Sequence, residues 1–412
     1  MSMMVKYELK KVFSRTSCKI ALILVFVIMG VTCFFAVDVS YMNENGESET
    51  GLAAVAALRE AQKEWAGYLD EEKIRQVIAE NRRISESPEA LSKDVRENNI
   101  AYSWGQGIRD IRYLLNRSYA NGFYDLFDYY RADSLTEEMA GDFYENRTTL
   151  LKEWLSGAAK DQFSDAEKNY LIGQYEAIQI PFYYDYMKGW TQLFEYTPII
   201  VMLTMLILGY LVSGIFPNEF TWKSDAVFFT SIHGRNKAVR AKIMAGFSIV
   251  TLTYFTAFLL YTGITLFYLG ADGWNLAVQV DWISWRCFYN ITVLQKYLLI
   301  IIGGYIGCLF ISFLSMLVSA KTKSAVLAVM VPVVLIFIPE FLLYIDSPIV
   351  SKIISLLPDQ LLQMEEVLVY FSLYSIGGKV FGEVPVIIVL YTVLTAIILP
   401  ILYQGYRHKQ IS

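Results

Sequence analysis

Charged side chains disappear from the chain in six places. Residues 20–37, 197–216, 244–269, 297–318, 325–345 and 384–403 are apolar runs of 18 to 26 residues, interrupted only by Glu340. A helix rises 1.5 Å per residue, so about 20 such residues match the ~30 Å hydrocarbon core of a bilayer. Strands fit poorly, because lipid cannot satisfy an open sheet edge and barrel strands are shorter and alternate in polarity. The pattern predicts six transmembrane helices. The first run could be a signal peptide behind Lys10, Lys11, Arg15 and Lys19, but Phe34 stands two places before the candidate cleavage residue Ala36, where a small side chain is needed. The first helix is therefore expected to stay as an anchor.

Residues 38–194 follow a different rhythm. Leu52, Val55, Leu58, Trp65, Leu69, Ile74, Val77 and Ile78 recur at helical spacing through 52–82, and Ser134 to Glu137 and Ser164 to Glu167 fit the S-x-x-E capping box that opens a helix. Strand-like alternation is missing, and the segment is long enough to carry its own core. The expected fold class is all-α: a polytopic integral membrane protein with six transmembrane helices and a mainly helical extracytoplasmic domain. Its parts are a cytoplasmic interface helix at 1–19, the first span, the outer domain at 38–194, and a five-helix membrane domain at 195–412 containing the cytoplasmic loop 217–243.

Composition sharpens this division. Over 412 residues, 55% are hydrophobic and 18% charged, against roughly a quarter charged in globular proteins. A disordered chain and a polycationic nucleic-acid binder are both excluded. The net charge of −5 is unevenly spread, since 38–194 alone holds 28 acidic and 17 basic residues. Lys6, Lys10, Lys11, Arg15 and Lys19 precede the first run; Lys223, Arg235, Lys237, Arg240 and Lys242 fill the loop 217–243; Lys321, Lys323, Arg407 and Lys409 complete the set. Glu8, Glu219 and Asp225 are the acidic residues among them. By the positive-inside rule these segments face the cytoplasm, with both termini inside and 38–194 outside the cell membrane. Trp190, Tyr196, Trp282, Trp285 and Tyr297 cluster at the outer ends of the spans, as an interfacial belt or as ordinary packing would place them.

Catalytic chemistry is scarce. The two histidines, His233 and His408, both lie in basic cytoplasmic segments, and no G-x-x-x-x-G-K-[ST] loop exists to hold nucleotide phosphates. Cys18, Cys33, Cys287 and Cys308 show neither disulfide-scaffold nor zinc-ligand spacing. The triplets at Asn116, Asn146 and Asn290 are read as chance sequons, and Glu340 as the mark of the outer headgroup boundary. Spans without internal charges argue against an ion-coupled pump. The chain is expected to be no enzyme and to hold no cofactor or metal; a partner would supply any driving energy.

Three features suit mechanical work. Val5, Leu9, Val12 and Phe13 line one face of an amphipathic helix, with Lys6, Lys10 and Lys11 opposite, suited to the inner headgroup layer. Gly303, Gly304 and Gly307 make a small-residue face for close helix packing, and Pro332 and Pro339 can kink the fifth span. The loop 217–243 mixes Phe220, Trp222, Phe228 and Phe229 with charges, which a docking surface uses and a solvated linker avoids.

That loop resembles the one in the ABC-2 permease family, the membrane subunits of bacterial exporters, where an acidic residue opens a short helix after span two, a Gly-Arg pair follows, and a Lys enters span three. Glu219, Gly234-Arg235 and Lys242 stand at those positions, with Phe220 and Asp225 between. The N-terminal Tyr7-Glu8-Leu9-Lys10-Lys11, the large insertion after span one, and Tyr186-Met-Lys-Gly-Trp190 are similar to Gram-positive members. The resemblance implies a coupling loop at 217–243 on a separate ATP-binding subunit that holds ATP and Mg, a second permease copy or a related permease, and short outer helices between Ile349 and Phe381. In that picture Glu219 positions the loop, while Arg235 and Lys242 hold its far end at anionic headgroups. The competing reading is a non-transporting membrane receptor or immunity protein whose outer domain binds a peptide.

Overall fold

The computed structural model describes residues 3–342 and 348–409. Among them five helices are long and apolar enough to cross a membrane: Thr16–Ala36, Lys188–Ser213, Gly234–Leu269, Val293–Thr322 and Glu383–Arg407. The run at 325–345 folds as the 18-residue helix Ala325–Leu342, containing Pro332 and Pro339. Its expected last residues, 343–345, and the side chain of Glu340 lie outside the described residues. The five long helices are longer than the charge-free stretches that announce them, because local capping sets their ends. Thr292 and Gln295 form a reciprocal capping box at one end of Val293–Thr322, and Lys323, with φ of 60°, turns the chain out at the other.

Lys188–Ser213 and Val293–Thr322 sit at the centre of the bundle, each touching several of the other long helices. Thr16–Ala36 and Glu383–Arg407 are peripheral and turn Ile20, Ile23, Leu24, Val27 and Val31, and Val389, Val393 and Ile397, outward. A continuous apolar surface of that kind belongs against lipid or protein rather than water. Gly209 lets Ala325–Leu342 in, since a Cβ there would stand 2.5 Å from Pro332 Cγ.

The segment after the first helix is a mainly helical body, from Gly51–Glu64 to Asp165–Glu176. The periodicity of 52–82 divides into Gly51–Glu64 and Glu71–Ser85, with a short strand, Gly67–Tyr68, between them. That strand pairs with Tyr183–Tyr184, and two more antiparallel pairs, Ser40–Met42 with Ser48–Thr50 and Leu373–Ile376 with Lys379–Gly382, qualify the all-α expectation. The Ser164–Glu167 capping box forms as expected. The Ser134–Glu137 one does not: Ser134 ends a 3-10 turn with its hydroxyl on the Arg131 carbonyl, and Thr136 precedes the next turn instead.

This body is bolted to the loop 270–292. Buried Arg147 donates to the carbonyls of Trp285 (3.0 Å) and Cys287 (2.9 Å), Tyr186 donates to the Leu269 carbonyl (2.7 Å), and Arg59 and Lys63 both pair with Asp272. Gly189, in the Tyr186–Trp190 motif, is required here, because a Cβ on it would stand 2.1 Å from the Gly270 carbonyl oxygen. Trp190, Trp285 and Tyr297 are buried in this junction. They are packing aromatics, so the belt reading does not hold for them. All four cysteines are free and buried. Asn116 is buried with its amide bonded to the backbone of Tyr129 and Ala132, which leaves no room for a glycan.

The stretch between Ala325–Leu342 and Glu383–Arg407 folds as Pro348–Ile354, a 3-10 turn Pro358–Leu361, Met364–Val367 and a hairpin. Part of it fills the glycine face of the fourth helix: a Cβ on Gly303 would meet Met364 Cε at 2.4 Å, and one on Gly307 would meet Leu362 Cδ2 at 2.9 Å. A Cβ on Gly304 would meet the Tyr254 hydroxyl at 2.6 Å. The small-residue face therefore admits a non-helical segment and a tyrosine of the same chain.

Candidate functional site

All four basic segments meet at one end of the bundle. Tyr406 donates to the Phe216 carbonyl (3.1 Å), Arg235 donates to the carbonyls of Arg407 (2.8 Å) and Lys409 (3.0 Å), and Lys409 reaches the carbonyls of Ala320 and Lys321. The loop between the second and third helices forms two short helices, Asn218–Thr221 and Asp225–Thr230, then the π-helical turn Gly234–Ala238.

At the centre of this end lies a buried charge cluster. Lys242 is fully buried, and its ammonium donates to Glu219 Oε1 at 2.7 Å, Glu8 Oε2 at 3.1 Å and the Ile215 carbonyl at 2.6 Å. An ammonium has three donors, so each is used. Lys11 closes the arrangement from the rim, 2.8 Å from Glu8 Oε1 and 3.1 Å from Glu219 Oε1. Two carboxylates and two ammoniums balance in charge, which is what allows them to be buried at all. Burial alone would lower the Lys11 pKa, but the Glu8 and Glu219 carboxylates outweigh it and raise it above the ordinary lysine value. Glu219 Oε2 is buried without a hydrogen-bond partner among the described residues.

Four elements thus converge on one knot: the N-terminal helix Met3–Phe13 through Glu8 and Lys11, the end of the second long helix through Ile215, the loop through Glu219, and the third helix through Lys242. Glu219, in the loop, pairs with both Lys242 and Lys11. Lys242 does not lie at headgroups, because a lysine one turn inside an apolar helix can be accommodated only beside carboxylates. Arg235 is likewise turned inward, with Nε on the Phe229 carbonyl (3.1 Å) and its guanidinium 5.1 Å from the Phe229 ring. The interface helix differs too. Val5 and Val12 are buried, Val5 packs on Ala241 and Ala245 with Leu9 alongside, and Phe13 joins the main core. Its apolar face is spent on the bundle rather than on the headgroup layer.

The loop's aromatics divide in the same way. Phe220, Phe228 and Phe229 gather around Tyr406, with ring centroids 5.3 to 6.4 Å from it, and Lys323 and Lys409 stand over Phe220 at 4.8 and 5.0 Å. Gly234 permits that fold, since a Cβ would stand 1.7 Å from the Phe228 carbonyl oxygen. Asp225 is half-buried at the start of its helix. What remains outward is Trp222, Val227 and Ile232, at 51%, 74% and 92% exposure. Sequence reasoning missed Val227 and Ile232 because it weighed aromatics, and missed Glu8 because it counted only the lysines opposite the apolar stripe. The signal was there: Glu8 stands three residues after Val5 and four before Val12, on the apolar face itself.

A second buried lysine marks the other end. Lys296 pairs with Glu365 at 3.0 Å, lies 3.7 Å from Asp281 and donates to Ser284 at 2.9 Å. It ties Val293–Thr322 to the loop 270–292 and to the segment that fills the glycine face. Burial raises the Glu365 pKa against the opposing pull of Lys296. Among the described residues no group of histidine, cysteine, aspartate and glutamate could hold a metal ion. No protein-family model, curated protein or solved structure matches the chain.

Proposed function

We propose that this chain is the permease subunit of an ATP-binding-cassette exporter, working with a second copy or a related permease and driven by a separate ATP-binding subunit. In this reading it crosses the cell membrane six times, with Ala325–Leu342 as the fifth crossing, both termini in the cytoplasm and residues 38–194 outside. ATP and Mg belong to the partner. The observation that carries the reading is the Glu219–Lys242–Glu8–Lys11 cluster beneath a loop that keeps Trp222, Val227 and Ile232 exposed. A loop that only connected two helices would need neither the buried clamp nor the apolar crest.

The clamp supplies the mechanics. A partner closing on nucleotide presses the crest, Glu219 passes the displacement to the third helix through Lys242, and Glu8 and Lys11 bring the N-terminal helix along. Packed helices respond by changing between discrete arrangements rather than by bending continuously. The test is charge reversal, E219K, in membranes of the native cell. Export and association with the ATP-binding subunit should both be lost while the protein still inserts. Retention of both would remove the central role given to Glu219, and a protein that works with no ATP-binding partner would favour the receptor reading.

A further inference from the structure

Beside the ends of the long helices opposite that clamp, a cavity of about 830 Å³ lies between the large helical body, the segment 351–372 and the start of the last helix. This is the size of a site for a drug-like molecule. One wall is aromatic: Trp154, Phe371 and Tyr370 line it, and Trp154 and Phe371 pack against each other and against Phe123 with centroids 5.3 to 5.8 Å apart. The other wall is acidic, with Asp359, Glu366 and Glu383 and neither lysine nor arginine among the described lining residues. Lys352, on the same segment, is already held by Glu167 at 3.2 Å.

Glu383 separates this cavity from an ordinary acidic surface. Its residue is only 2% exposed, and Oε1 is buried with no hydrogen-bond partner among the described residues. A carboxyl oxygen left buried without a partner is costly, and a cation arriving in the cavity offers it one. Aromatic faces beside it attract a desolvated cation and cover an apolar body.

We propose that this cavity binds an organic cation with a hydrophobic body, its charge at Glu383 and its body on Trp154 and Phe371. The proposal concerns this chain's own binding and stands apart from the transport reading. Tetraphenylphosphonium and tetraphenylborate, nearly identical in shape and opposite in charge, are the probes. The full-length protein in a neutral detergent, measured by equilibrium dialysis against protein-free micelles, should bind the cation saturably and the anion not at all. E383Q should weaken the cation about tenfold or more, equivalent to about 1.4 kcal/mol. Should E383Q fail to fold, the S351C variant on the cavity rim decides. The native cysteines are all buried, so a thiol reagent reports that position, and the cation should slow its labelling where the anion does not. Equal binding of the two probes, unchanged affinity in folded E383Q, or labelling of S351C indifferent to the cation overturns the proposal.

Discussion

At the scale of single residues, the molecule is defined by lysines and arginines used far from solvent. Lys242 shows what such a residue costs when it loses its partners. K242M removes the buried ammonium and leaves Glu8 and Glu219 to share the single charge of Lys11 at the rim, and breaking a buried pair typically costs about 3–5 kcal/mol. Thermal unfolding in detergent should shift clearly downward, and adding E8Q and E219Q to K242M should recover part of the loss. Asp272 gives a pH signature at the other end. Burial would raise its pKa, but the hydrogen bonds from Arg59 and Lys63 outweigh it and hold it below the ordinary value. A depressed carboxylate contributes stability that is complete above its unfolded pKa of about 3.9 and is lost as the pH falls through the lower folded value. Acid titration of the wild type should therefore release this contact only in that range, and D272N, which lacks it throughout, should show a shallower loss of stability there. Neither lysine nor aspartate announced its role through composition. Glu8 could have, because a charge on an apolar helical face demands a counter-charge.

At the scale of elements, hydrophobic runs located the long helices because helix length and apolarity are set by the same solvent. Their ends were less legible, since caps such as Thr292 with Gln295 and the turn at Lys323 depend on a few local bonds. The family resemblance implies only short outer helices between Ile349 and Phe381, and the packing of Met364 and Leu362 against Gly303 and Gly307 is not legible in it, because an apolar sequence states that it must be covered without stating by what. The glycine face makes this testable. Gly304→Leu would drive a side chain into the Tyr254 hydroxyl and Val201, whereas a Cβ on Gly30 of the first helix meets nothing within 4 Å. Overpacking costs about 1–3 kcal/mol. Gly304→Leu should lower the thermal midpoint in detergent by several degrees and Gly30→Leu should leave it nearly unchanged; equal effects would show that the face is not packed as described.

At the scale of the whole molecule, the charge asymmetry along the sequence becomes a geometric one. Segments separated by hundreds of residues, the first helix, the 217–243 loop, the turn at Lys323 and the last helix, share one end, while the acidic helical body covers the other. Lys242 and Lys296 fasten the two ends, and the apolar flanks of Thr16–Ala36 and Glu383–Arg407 lie between. The central claim is that the exposed crest of the loop docks an ATP-binding subunit on the cytoplasmic side. It is tested most directly by a photo-crosslinking residue placed in native membranes at Val227, at Ile232 and, as a control, at Leu126, which is 95% exposed on the large helical body. Capture of an ATP-binding chain from positions 227 and 232 but not from 126 is the predicted result. Capture from 126 alone, or of no ATP-binding chain from the loop, would contradict it.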